Sequence, residues 1–110
     1  MVSRSLYQIQ EKERKRIMTR NLRKMPYAQA QVRDYSDIGK DMIILQSYQT
    51  DVITVRDGWF SCSGLYSMTT RKHISAFMWE YFPQWGFQLA KEWAGSGKEI
   101  NLLTGEIRSM

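Results

Sequence analysis

At 110 residues the chain is one domain's length, and a chain of this size buries about two-thirds of the surface it exposes when unfolded. A hydrophobic fraction of 43% with four Trp, six Tyr and four Phe excludes global disorder. A single cysteine excludes an intrachain disulfide, no stretch approaches the roughly 18 apolar residues of a membrane span, and the first residues lack a secretory pattern. The chain therefore reads as soluble and cytoplasmic, without a membrane contact.

The formal charge of +5 is unevenly spread. Residues 1–34 hold nine Lys or Arg against three acids, whereas residues 35–110 hold seven against eight. The basic character thus belongs to one segment, which points to contact with a polyanion.

Residues 5–24 read as a helix. Ser3 or Ser5 can cap it, its interior is rich in helix formers, and Pro26 ends it. Its apolar stripe is thin, so it packs weakly or stands partly free. Lys12, Arg14, Lys15, Arg16, Arg20, Arg23 and Lys24 wrap this basic segment, taken as residues 1–25. Two readings stay open. The cations meet nucleic-acid phosphates or an acidic groove, or they coat a solvated helix with partial support from pairs such as Glu11–Lys15. Residues 26–40 form a connection with turn residues Pro26, Ser36, Asp37 and Gly39, and room for a short helical turn around Ala28–Val32.

A core of residues 41–82 follows. Met42–Tyr48 contains an apolar run of strand length, Val52–Arg56 is a second strand, and Trp59–Cys62 a third. Asp57-Gly58 between the last two is the strongest short hairpin signal in the chain. Together these predict a three-stranded antiparallel β-meander. A helix over 69–82 covers it: Ser67 or Thr69 caps it, Ile74, Phe77, Met78 and Tyr81 fall on one face, and Pro83 stops it. Arg71 and Lys72 near its start oppose the helix dipole, a small cost that a bound phosphate would reverse. Residues 84–110 form a Trp-rich extension. Phe87–Ala94 reads as a short helix, and Lys98–Arg108 as a hairpin turning at Thr104-Gly105, able to extend the sheet edge or to exchange with a second copy in a homodimer. Trp79, Trp85 and Trp93 complete the core or form an exposed binding patch. The predicted class is α+β: basic N-terminal helix, three-stranded meander, covering helix, short C-terminal helix and hairpin.

Chemistry-bearing residues are sparse. Cys62 in a strand reads as a small core residue, and His73 as a packing or hydrogen-bonding residue beside Tyr66 or Thr69. One His and one Cys provide neither a general base with an orienting partner nor a metal set, so no catalytic residue, metal or cofactor is assigned.

Ser47-Tyr48-x-Thr50-x-Val52, then Asp57-Gly58, then Tyr66-Ser67-x-Thr69-Thr70-x-x-His73-Ile74-x-x-Phe77 resembles a small uncharacterised domain family of bacteriophages and mobile elements of Gram-positive bacteria. The resemblance covers about a third of the chain. It implies a phage-type context in a bacterial host, where small basic proteins bind nucleic acid or inhibit a host defence complex. The predicted element order is also that of double-stranded-RNA-binding domains, an analogy of topology alone.

The resulting expectation is a small non-catalytic binding protein whose basic N-terminal helix contacts DNA or RNA phosphates, with Arg71 and Lys72 joining in. The alternative is an anti-CRISPR-like protein that binds a host nucleoprotein complex.

Overall fold

The computed structural model describes residues 16–110. Its framework is one seven-stranded antiparallel sheet in which every strand pairs with its sequence neighbours. The strands are β1 (Met18–Asn21), β2 (Ala30–Asp34), β3 (Met42–Ser47), β4 (Thr50–Arg56), β5 (Trp59–Cys62), β6 (Lys98–Asn101) and β7 (Ile107–Ser109). Two helices, α1 (Met68–Tyr81) and α2 (Gly86–Trp93), lie between β5 and β6 in the chain.

The strands form because the side-chain period of two separates a core face from an outer face. On β2, Ala30 and Val32 point inward and Gln31 and Arg33 outward, and Val32 pairs with Leu45 of β3. On β4, Ile53 and Val55 continue the inner row, opposite Cys62 and Phe60 of β5. The β3–β4 register shifts between Leu45 and Gln46. This bulge lets Val52 and Ile53 both be buried, which strict alternation forbids. Between β4 and β5, Asp57 and Gly58 both take positive φ, 53° and 83°, the paired left-handed geometry of a tight hairpin turn. A Cβ on Gly58 would stand 3.4 Å from the Asn101 Oδ1 and Leu103 Cδ1 atoms. Gly58→Ala should therefore lower stability by about 1–2 kcal/mol, the cost of holding an L-residue left-handed, readable by urea denaturation.

The helix α1 begins at Ser67, whose hydroxyl accepts the Thr70 N–H at 3.1 Å, and ends before Pro83. Ile74, Phe77 and Met78 press its apolar side onto the sheet, and all three are fully buried. The shorter α2 packs beside α1 and over β5, adding Leu89 and Ala90 to the core. Both helices lie on one face of the sheet. The opposite face carries no covering element among the described residues.

Three expectations are corrected. The predicted helix over 5–24 is not found among the described residues: Met18–Asn21 is an edge strand paired with β2, and residues 1–15 lie outside the description. Helix propensity there yields to tertiary pairing, because Leu22 at the strand's end is fully buried in the core. The connection 26–40 holds a strand, Ala30–Asp34, not a helical turn. The three-stranded meander is the centre of a seven-stranded one, so the fold is mostly β rather than the α+β arrangement expected, and the likeness to double-stranded-RNA-binding domains ends there. The covering helix, the short helix and the hairpin do form, and β6 joins the sheet by pairing with β5.

Candidate functional site

Ionisable and hydroxyl side chains meet in two kinds of place, one closed and one open. The closed one lies under the start of α1. Ser47, inward-facing on β3, has its Oγ 2.8 Å from the His73 Nδ1 and 3.0 Å from the Thr70 Oγ1. Ser67 donates to the same Thr70 oxygen at 3.3 Å. Ser47, Thr70 and His73 are all buried. The ring of Tyr48 lies against that of His73, with centroids 5.7 Å apart. Burial pushes the His73 pKa below its ordinary value. A serine beside a histidine suggests a nucleophile, but a substrate has no path to a pair enclosed between helix and sheet. The network instead satisfies polar groups that would be costly to bury unpaired, and it fastens the helix start to β3. The expected hydrogen-bonding role of His73 is thus met by Ser47 rather than by Tyr66 or Thr69.

Cys62 is buried, its Sγ 3.7 Å from the Gly64 carbonyl oxygen, and burial raises its thiol pKa, which suppresses the reactive thiolate. Among the described residues no group of three or more His, Cys, Asp or Glu could hold a metal ion.

The open place is the outer side of α1. Met68, Lys72, Ser75 and Trp79 are spaced to form one stripe along the helix, opposite the buried side carrying Thr70, Ile74 and Phe77. Lys72 and Trp79 are two turns apart, about 10 Å. Arg71 adjoins the stripe, and Phe87 of α2 completes a shallow cleft with Met68, Arg71, Lys72 and Ser75. Met68 and Trp79 are 69% and 51% exposed, high values for large apolar side chains on a helix.

The sequence-predicted cations distribute around this face unequally. Lys24, in the turn after β1, places its Nζ 3.8 Å from the centroid of the Trp79 ring, a cation–π contact. Arg23 is exposed beside it, with its backbone N–H donating to Glu80 at 2.7 Å. Arg20 is drawn away: it pairs with Asp34 at 2.7 Å across the β1–β2 ladder. The Ser36 backbone N–H, with help from Arg20, holds the Asp34 carboxyl below its usual pKa. Arg16 is exposed just before β1, and Lys12, Arg14 and Lys15 lie outside the described residues. The structure therefore places Lys24 on Trp79, about two turns along α1 from Arg71 and Lys72, so the cations flank the two ends of the helix's outer side, a placement that their distance in sequence concealed. The sequence leaves Trp79 open between core and exposed patch; Met68, which the 68–72–75–79 spacing marks, and Phe87, which that spacing does not reach, were missed. Trp93 packs partly buried against the core, and Trp85 is exposed at its edge.

The model of a family of unknown function, DUF8033, matches residues 10–95. The chain belongs to the DUF8033 family. The match runs through β1–β5 and both helices, so it spans the buried Ser47–His73 network and the whole outer side of α1, and it stops before the β6–β7 hairpin. The DUF8033 match is far wider than the Ser47–Phe77 stretch that carried the resemblance, and a phage origin is not part of it. No curated protein and no solved structure matches the chain. No helix among the described residues is long and apolar enough to cross a membrane.

Proposed function

We propose that this chain is a non-catalytic binding protein that holds nucleic-acid phosphates on the outer side of α1. The observation that carries the reading is that the outer side of α1, with Trp79 and Met68 exposed, is flanked by cations at both ends: Lys24 on Trp79 with Arg23 beside it, and Arg71 and Lys72 in the cleft at Met68. Three or four cations spread along this side of α1, with Glu80 the acid beside Arg23, make a positive field that suits a row of phosphates. Arg20 is spent on Asp34 and has no part in it. The basic N-terminal segment adds charge to the same molecule, and a bacteriophage setting, in which a small basic protein meets host or viral nucleic acid, accords with it.

The test is fluorescence anisotropy with labelled duplex DNA and duplex RNA at low and high salt. Three phosphate contacts should weaken binding roughly 40-fold between about 50 and 200 mM salt. The Lys24→Ala/Arg71→Ala/Lys72→Ala variant should reduce the salt slope by about three. A control of equal net charge, Lys40→Ala/Lys91→Ala/Lys98→Ala, removes cations from other parts of the surface and should retain the slope. Equal losses in both variants would reduce the effect to net charge and overturn the reading. So would an absence of binding at low salt. Tight, specific capture of a nucleoprotein complex without affinity for free nucleic acid would instead favour the anti-CRISPR-like alternative, with Trp79 anchoring the same ridge in an acidic protein groove.

A further inference from the structure

We propose that the face of the sheet opposite α1, which no element among the described residues covers, binds single-stranded nucleic acid, with a base on the Arg108–Trp59 pair and a phosphate on Arg56. The inference rests on the nucleic-acid reading above and adds a second site that selects unpaired strands.

The outer row of the sheet's second half differs from that of its first. On β2–β4 the polar groups satisfy one another: Arg33 donates to Gln46 at 2.7 Å and to Asp51 at 2.9 Å. From β4 to β7 the described ion pair is Arg108–Glu99, and Arg56 is left out of it. Arg56 stands directly across from Trp59, and Thr54 across from Ser61, so a guanidinium, an indole and two hydroxyls share one patch. Arg108 of β7 lies over the indole, its guanidinium carbon 3.8 Å from the ring centroid. Glu99, paired with Arg108 across the β6–β7 ladder, fixes that guanidinium in place. Among the described residues no carboxylate pairs with Arg56. These groups line an open cleft of about 520 Å³, the largest of the described clefts and within the range of ligand sites.

The chemistry selects its occupant. Two cations against one acid favour an anion. The outer plane of a guanidinium stacked on an indole is a platform for a second planar group, and unpaired bases stack on aromatic rings and on Arg planes alike. The hydroxyls of Thr54 and Ser61 add donors and acceptors for base edges or sugar. Three strand spacings separate β4 from β7, roughly 14 Å, so base and phosphate of one short segment can be held together. A duplex, with its bases stacked inside, offers no partner to the Arg108–Trp59 platform.

The test uses the full chain and labelled oligothymidylate and oligouridylate of about 12 nucleotides, within the usual site sizes, beside the duplexes already described. Binding should fall about tenfold in Trp59→Leu and in Arg108→Gln, and several-fold in Arg56→Gln, while Trp59→Phe retains a stacking ring and most of the affinity. Duplex binding should be unchanged in all four. Arg56 is exposed, so Arg56→Gln keeps the test valid if Trp59→Leu fails to fold. Oligonucleotide binding that is equal in wild type, Trp59→Leu and Arg56→Gln overturns this site and leaves the α1 reading standing. Loss of single-strand binding in these variants, with duplex binding indifferent to the α1 triple variant, keeps this site and removes the other.

Discussion

Phe77→Ala should lower stability by about 3–5 kcal/mol, the range for deleting a buried aromatic ring from a core. Phe77 is fully buried at the middle of α1, with its ring 5.0 Å from Tyr81 and 5.8 Å from Phe82. Its removal takes apolar area from water-free contact and leaves a cavity between helix and sheet that neighbouring backbone cannot fill. Domains of this size are stable by only about 5–15 kcal/mol, so the variant loses a large share of the total. Trp79→Ala, two residues along the same helix, is the matched control. Its side chain is half exposed and should change stability by no more than about 0.5 kcal/mol. Urea midpoints with unchanged slopes would measure both. A Phe77→Ala loss below about 1 kcal/mol would mean that α1 does not cover the sheet as described. A large loss for Trp79→Ala would mean that the ridge is structural rather than a binding surface.

The same contrast explains what the sequence disclosed. The periodicity of Ile74, Phe77, Met78 and Tyr81 is a local signal with a single interpretation, and Ser67 and Pro83 bracket it, so α1 was legible almost to its ends. Asp57-Gly58 was legible because two consecutive positive φ angles need residues that tolerate them. The strand β1 was not. Met-Thr-Arg-Asn has no alternating apolar face, and its neighbours are strong helix formers. Only its pairing with β2 and the burial of Leu22 define it, and both depend on residues distant in sequence. In Ala30–Asp34 the alternation is present, but two small or medium apolar residues are a faint signal beside a preceding proline-bearing turn. The candidate sites followed the same logic. Arg71 and Lys72 could be placed on an exposed helix side from sequence. That Lys24 packs on Trp79 of the same helix, and that Arg20 is consumed by Asp34, follows only from the path of β1. Nothing local announced that Arg108 would come back across 49 residues to stack on Trp59.

Stability should fall as pH drops from about 7.5 to 5.5, and His73 should be the cause. Burial depresses its pKa in the folded state, whereas in the unfolded chain the imidazole titrates near 6.5. Between those two values the unfolded chain binds the proton and the folded one does not, so the contribution is fully present above about pH 6.5 and is lost progressively below it. The window is clean because His73 is the chain's sole histidine. Asp34, held low by the Ser36 backbone N–H and by Arg20, contributes stability that is lost only as pH falls below the ordinary carboxylate range. The partner across the interface sets the rest of the effect. Ser47→Ala would leave the His73 Nδ1 buried without its 2.8 Å hydrogen bond, at a cost of about 1–3 kcal/mol. Adding His73→Phe to Ser47→Ala removes both partners, so the double variant should lose less than the two single losses combined. Urea denaturation of the four proteins at pH 7.5 and 5.5 measures the coupling and the pH slope together. The slope should vanish in both proteins that lack His73. An equal slope with and without the imidazole would assign the acid sensitivity elsewhere, and strictly additive losses would mean that Ser47 and His73 do not hold α1 to β3 through their shared hydrogen bond.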